Sequence, residues 1–128
     1  MIIRLIKEMA NGTVRFWSAQ IALKKGNTAE ITTSYGFVGN EENAITNTKS
    51  VETGKNIGKI NELSGANVAM IDTLKSINTK IKSGYEVDEE TAEEFEKLEN
   101  DVVSIFTAIE EAKKERDYER ESAREEKR

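Results

Sequence analysis

The feature that most constrains this chain is an alternation of apolar or β-branched residues with polar ones through its first 51 residues. Asn11-Gly12, a dipeptide typical of two-residue hairpin turns, lies inside this region. Successive side chains of a strand point to opposite faces, so the pattern predicts an antiparallel meander with one buried face. The predicted strands are Ile2–Met9, Thr13–Leu23, Thr28–Val38 and Ala44–Val51.

The third of these stretches ends in Tyr35-Gly36-Phe37-Val38-Gly39, where glycines flank an aromatic residue. Glycine adopts backbone angles that other residues avoid, so a sharp turn is expected there. An aromatic ring beside a glycine lies against bare backbone and offers a flat surface to a partner. Aromatic residues on strands also commonly belong to the core, so both interpretations stay open for Tyr35 and Phe37.

Two helices are predicted in the second half of the chain. The first is expected from Ser64 to Ser83, with Gly84 at its left-handed C-cap. Its apolar stripe has spacings of four, three and four residues and consists of Met70, Leu74, Ile77 and Ile81. The second helix is expected to begin near Asp88 or Thr91, and the short link between the two makes them antiparallel neighbours.

The second helix carries an apolar seam whose spacings alternate between three and four residues, a heptad pattern. Val103 and Phe106 make the seam wider than one partner helix requires. This width predicts a homodimer, with an interface formed by Phe95, Leu98, Val102, Ile105, Phe106 and Ile109. The alternative is that the first helix and the sheet cover both sides of the seam within one chain.

These patterns together predict an α+β protein. A small antiparallel β-sheet of four to five strands is followed by a C-terminal helical hairpin with a heptad seam. The predicted division is a sheet-and-helix domain over residues 1–85 and an acidic C-terminal helix over residues 86–128. Beyond Lys113 the helix is charged on all sides, and its last turns are expected to fray because each pair of opposite charges contributes only about 0.2–0.5 kcal/mol.

The two segments differ in charge. Residues 1–85 carry 11 Lys and Arg against 7 Asp and Glu, whereas residues 86–128 carry 8 against 17. The net charge of −5 therefore combines a basic body with an acidic helix. The basic body makes nucleic acid a candidate partner.

The composition excludes several kinds of chemistry. The chain has no His and no Cys, so the usual general base, the commonest metal ligand and the usual nucleophile activation are missing. We therefore predict no enzymatic activity, no cofactor and no metal site. No apolar run approaches the length needed to cross a bilayer, and the first residues do not form a secretory signal, so a cytoplasmic location and no membrane partner are expected.

Several short motifs resemble one known family, the WGR domain, which is named for a Trp-Gly-Arg motif and occurs in some poly(ADP-ribose) polymerases and bacterial proteins. A strand ending in Tyr35-Gly36-Phe37-Val38-Gly39 and a helix ending at Gly84-Tyr85 carry the likeness. The similarity is closer to the WGR-like head segment of certain phage-encoded DNA-ligase-like proteins. Those proteins share an Asn-Gly-x-x-Arg-x-Trp pattern, here Asn11–Trp17, and a Gly-Lys-Asn-x-Gly-Lys pattern, here Gly54–Lys59.

The resemblance covers roughly residues 3–85. It implies a small sheet with a packed helix that binds DNA ends or a partner domain. The family's Trp and Arg correspond to Tyr35 and Phe37, so the aromatic ring is kept and the guanidinium is not. The Lys-x-Asp-Gly adenylation motif of ligases is absent from the chain.

The resulting functional prediction is a non-enzymatic binding module of phage or mobile-element type. Its expected nucleic-acid contacts are Arg15, Trp17, Lys24, Lys25, Tyr35, Lys55 and Lys59. The alternative is a phage counter-defence inhibitor or adaptor that binds a host protein, or sequesters a small nucleotide signal, and oligomerises through its C-terminal helix.

Overall fold

A five-stranded antiparallel sheet forms the base of the molecule. The structure, a computed structural model, describes the backbone of residues 1–126 and the side chains of residues 1–123. The strands are β1 (Ile2–Glu8), β2 (Val14–Lys24), β3 (Thr28–Phe37), β4 (Ile45–Val51) and β5 (Glu86–Val87). Their order across the sheet is β4-β3-β2-β1-β5. The α+β class and the antiparallel meander predicted from the alternation are confirmed.

The register of the sheet sets its buried face. Leu5, Trp17, Tyr35 and Ile45 lie opposite one another on β1, β2, β3 and β4 and form one row across the sheet. Residues two positions apart on a strand share a face, so this row and its odd-numbered neighbours face the helices. The β1 and β2 end of the row is buried, whereas Tyr35 and Ile45 are exposed.

Two helices cover this face, α1 (Gly65–Lys82) and α2 (Ala92–Glu126). The Ser64 hydroxyl caps α1 by accepting a hydrogen bond from the Asn67 N–H at 3.1 Å. Gly84 follows α1 with a φ of +107°, the left-handed conformation that favours glycine. The boundaries of α1 lie within one residue of those predicted from its apolar stripe.

The apolar seam of α2 faces the body of its own chain. Leu98 is fully buried and Val102 nearly so, and Phe95 and Ile105 pack against the same cluster as Ile77. One hydrophobic core therefore includes residues from both sides of the predicted division at residue 85. Homodimerisation through α2 stays a prediction. Of the six residues proposed for it, Phe106 is the exposed one, at 49%, and the other five are buried or half-buried.

The β1 edge of the sheet is closed by the segment that leads into α2. The Asp88 N–H donates to the Arg4 carbonyl at 2.8 Å, directly after β5. The Arg4 N–H donates to the Thr91 hydroxyl at 3.0 Å, and the Ile2 N–H donates to a Glu94 carboxylate oxygen at 2.7 Å. Side chains thus continue the hydrogen bonding of the short β5 along β1, which protects this edge from pairing with another chain.

On the opposite face of the sheet, the Arg4 side chain contacts β2, the turn between β3 and β4, and the segment that follows β5. Its guanidinium lies 5.0 Å from the Phe16 ring centroid, 3.5 Å from the Glu41 carboxylate and 4.0 Å from that of Asp88. Hydrogen bonds from the Gly39 N–H and from the N–H of Glu41 itself hold the pKa of the Glu41 carboxyl below its usual range, and Arg4 lowers it further. These contacts fix the turn between β3 and β4.

We expect the contribution of Glu41 to stability to depend on pH. Because its folded-state pKa is lowered, the contribution is present above the unfolded-state pKa and is lost as the pH falls through the lowered folded value. Carbon-13 NMR of the Glu41 carboxyl should show a titration midpoint below the ordinary value for a glutamate. A midpoint at the ordinary value would contradict the hydrogen bonds described for this turn.

The start of α1 depends on the absence of a side chain at Gly65. A Cβ atom there would lie 2.7 Å from the carbonyl oxygen of Val51, closer than real contacts allow. We expect Gly65→Ala to lower the free energy of unfolding by about 1–3 kcal/mol, the usual cost of overpacking. Urea denaturation provides the measurement. Asn78→Ala, at an exposed position of α1, is the matched control and should be neutral or slightly stabilising because Ala favours helix.

Candidate nucleic-acid interface

The seven residues predicted to contact nucleic acid do not form one surface. Arg15 lies near the start of β2, and Lys24 lies at its last residue. At about 3.3 Å per residue these two positions are about 30 Å apart. The structure therefore divides the predicted set into one group at the Arg15 end of the sheet, a second group at the Lys24 end, and Trp17 between them.

Trp17 belongs to the hydrophobic core. Only 7% of its surface is exposed, and it packs among the buried residues of β1, β2 and α1. The indole therefore stabilises the fold and has little surface left with which to contact a nucleotide. The alternation predicts that Trp17 and Arg15 share a face. It does not reveal that Trp17 is covered by α1 while Arg15 stays exposed.

At the Arg15 end, six side chains form what we call the basic–aromatic cluster: Lys7, Arg15, Tyr35, Phe37, Lys80 and Tyr85. The strand register brings the first members together, because Lys7, Arg15 and Phe37 lie opposite one another on β1, β2 and β3. Tyr35 precedes Phe37 by two residues and lies on the same face. Three strands therefore present cations and aromatic rings side by side.

Arg15 stacks over an exposed ring. Its guanidinium carbon lies 5.3 Å from the Phe37 ring centroid, within the range of a cation–π contact. Phe37 is 43% exposed and Tyr35 is 42% exposed. Both rings are therefore exposed at the surface and do not belong to the core, and their contact with a partner stays a prediction.

The end of α1 brings the remaining members to the same place. The ammonium nitrogens of Lys7 and Lys80 lie 5.8 and 5.7 Å from the Tyr85 ring centroid. Lys7 also donates a hydrogen bond of 2.7 Å to the carbonyl of Ser83, and so binds the C-terminal end of α1 to β1. Cations at this end are favoured by the helix dipole.

A cavity of about 290 Å³ lies beside the cluster, and four of the six cluster residues line it. Its walls contain no carboxylate and consist of Arg15, Phe16, Tyr35, Gly36, Phe37, Asn40, Asn43, Ile45 and Tyr85. None of the ion pairs found among the described residues involves Lys7, Arg15 or Lys80. The positive charges of the cluster are therefore available to an anionic ligand.

The opposite end of the sheet has mixed charge. The Lys24 ammonium lies 3.8 Å from the carboxylate of Glu30. Lys55 and Lys59 belong to the loop between β4 and α1, beside a cavity of about 350 Å³ whose walls include Glu52 and Glu62. Acidic groups interleaved with lysines weaken the attraction of a phosphate, so this end is the less favourable surface for nucleic acid.

A further cavity of about 300 Å³ separates α1 from β4. Lys49 and Asp72 both line it, and so does Thr73, which is 2% exposed and whose hydroxyl has no hydrogen-bond partner among the described residues. Because its rim carries both signs of charge, this groove does not resemble a phosphate site. The sequence reasoning did not anticipate it.

Sequence reasoning also missed Lys7, Lys80 and Tyr85 as members of the cluster. The sequence did contain an indication for Lys7, because a charged residue at a helix-facing position of a strand points to a site that the helices leave open. Tyr85 directly follows Gly84, the predicted C-cap of α1, and that position does not indicate a surface cluster. Its approach to Lys7 depends on the pairing of β5 with β1, which joins residues about 80 positions apart.

Within residues 1–123, no group of three or more His, Cys, Asp or Glu side chains is placed to hold a metal ion. Among the helices in this part of the chain, none combines the length and the apolar character needed to cross a bilayer.

Comparison with protein-family models, curated protein sequences and solved structures finds no match to this chain. The WGR likeness therefore stays a prediction based on short motifs.

Proposed function

We propose that this chain is a non-enzymatic binding module that contacts nucleic acid through the basic–aromatic cluster. The observation that carries the proposal is the arrangement of three cations beside aromatic rings, next to a cavity that Arg15 lines and whose walls contain no carboxylate. A module of this kind, of phage or mobile-element type, would act in the cytoplasm of a host cell.

The chemistry of the cluster suits an unpaired nucleotide. Lys and Arg attract the phosphate backbone without regard to sequence. Exposed Tyr and Phe rings provide faces on which bases stack, a contact of about 1–3 kcal/mol per base in single-stranded complexes. Tyr35 and Phe37 are the rings available for this contact. We therefore expect single strands or frayed duplex ends to bind better than the interior of a duplex.

The test is fluorescence anisotropy with a labelled single-stranded oligonucleotide and with the matching blunt duplex, at low and physiological salt. We expect the affinity to fall steeply as salt rises. Arg15→Gln and Lys80→Gln should each lower the slope of log K against log salt by about 1, because each removes one phosphate contact. Tyr35→Ala should weaken binding of the single strand through lost stacking.

Lys75→Gln is the matched control for Lys80→Gln, since Lys75 lies on an exposed part of the same helix outside the cluster. The full chain is used because truncation at Gly84 would remove Leu98 and Val102 from the core. Equal losses for Lys75→Gln and Lys80→Gln would show that only the net charge matters. Failure of the unaltered protein to bind at low salt would overturn the proposal.

A second candidate function is that of an inhibitor or adaptor that binds a host protein, or a small nucleotide signal, through a different surface. The observation that favours a protein target is on α2, where Val103 is 62% exposed and Phe106 is 49% exposed. They lie three residues apart and therefore on the same side of the helix. The exposed Glu99 and Glu110 lie one turn before Val103 and one turn after Phe106. This side of α2 would therefore repel nucleic acid and suit a basic protein surface.

Affinity capture from host lysate with nuclease treatment distinguishes the two functions. A protein target should be retained after nuclease digestion, and Phe106→Ser should abolish its capture while Arg15→Gln has no effect. Tyr118→Ser, at an exposed position further along α2, is the control. Loss of every captured protein on nuclease treatment would remove the support for this candidate.

A further inference from the structure

The two edges of the sheet differ in protection. The β1 edge is closed by β5 and by the side chains of Thr91 and Glu94. β4 forms the other edge, and within residues 1–126 no strand pairs with its outer side. Every second backbone N–H and C=O of an edge strand points away from the sheet, so β4 presents a row of free hydrogen-bonding groups.

β4 also lacks most of the features by which proteins block an open edge. Its seven residues pair with β3 in a continuous register without a bulge, and the chain contains no proline. Lys49 is its single charged residue, and all of its residues except Val51 are exposed. Four of its seven residues, Ile45, Thr46, Thr48 and Val51, are β-branched and favour strands. The edge is therefore competent to pair with a further strand.

The sequence of β4 indicates which strand that is. Ile45-Thr46-Asn47-Thr48-Lys49 has its two threonines placed symmetrically about Asn47. We propose that β4 pairs antiparallel with β4 of a second copy of this chain, with the two Asn47 residues opposite each other on the two-fold axis. The proposal does not depend on the proposed function.

This register gives favourable pairs on the face of the sheet away from the helices. Thr46 lies opposite Thr48 of the partner subunit, twice by symmetry, and threonine pairs across strands are stabilising. The same hydroxyls already interact with β3 in one copy, at 3.2 Å between Thr32 and Thr48 and 2.8 Å between Ser34 and Thr46. The row of hydroxyl contacts on the face away from the helices would thus continue across the interface.

Charge favours the same register. Lys49 lies opposite Ile45 of the partner subunit, so the two lysines are kept four residues apart along the strands. The exposed Glu42, three residues before Ile45, then lies at the same end of the interface as Lys49 of the partner subunit. A second copy therefore supplies the hydroxyl pairs, the separated cations and a nearby anion, whereas an arbitrary extended peptide would not.

Cysteine substitution tests the register directly, because the natural chain contains no cysteine. Opposed residues of an antiparallel pair have Cα atoms about 4.5–5.5 Å apart, within the range of a disulfide. Asn47→Cys should therefore form a disulfide-linked dimer under mild oxidation. Ser50→Cys is the matched control, because the two Ser50 residues would be six residues apart along the strands, or about 20 Å.

The result that overturns the proposal is an Asn47→Cys dimer that forms no faster than that of Ser50→Cys, with circular dichroism showing both proteins folded. Phe106→Cys is included as a third variant. Faster dimerisation through this position than through Asn47→Cys would assign the contact to α2 and would also overturn the proposal.

A charge-exchange experiment gives a second test that needs no covalent bond. Thr46→Lys with Thr48→Lys places lysines opposite lysines, so sedimentation equilibrium should show a loss of the concentration-dependent dimer. Thr46→Glu with Thr48→Glu should do the same. An equimolar mixture of the two folded variants should restore a dimer that contains one copy of each variant. A mixture that stays monomeric would contradict the proposed register.

Discussion

The structure depends on how two helices cover one face of a five-stranded sheet. Leu5 and Trp17 are buried beneath α1 and α2, whereas Tyr35 and Ile45, further along the same row, are exposed. The hydrophobic effect accounts for the buried half, since the core needs both helices to exclude water from β1 and β2. The exposed half remains outside this cover, and its Tyr35 belongs to the basic–aromatic cluster.

The incomplete cover links the cluster to the unpaired edge. Phe37 ends β3 at a point where β4 does not extend beside it, so aromatic and basic side chains face solvent next to an open strand. Pairing of two β4 strands about a two-fold axis perpendicular to the sheet would keep the helices of both copies on the same side of the combined sheet. The two Tyr35 residues would then lie about 20 Å apart on that side, and a dimer would present two clusters to one nucleic acid.

Local signals account for the parts of the fold that were predictable. The strand alternation and the stripe of α1 depend on residues close in sequence, and their elements lie within one or two residues of the predicted bounds. The two-residue turn expected at Asn11-Gly12 is wrong, because five residues separate β1 from β2. The cluster was only half predictable. Arg15 and Tyr35 were expected, but the approach of Lys7 to Tyr85 depends on β5, a two-residue strand formed by long-range contacts. The sequence could not predict that the α2 seam packs against its own chain, because an apolar stripe fits an intramolecular core as well as a partner helix.

The most direct test of the nucleic-acid account is an amide chemical-shift map of the full chain titrated with a short single-stranded oligonucleotide at low salt. The account predicts that the largest changes fall on Lys7, Arg15, Phe37 and Tyr85 and their neighbours. Changes centred instead on the loop around Lys55, or no changes at saturating oligonucleotide, would contradict it.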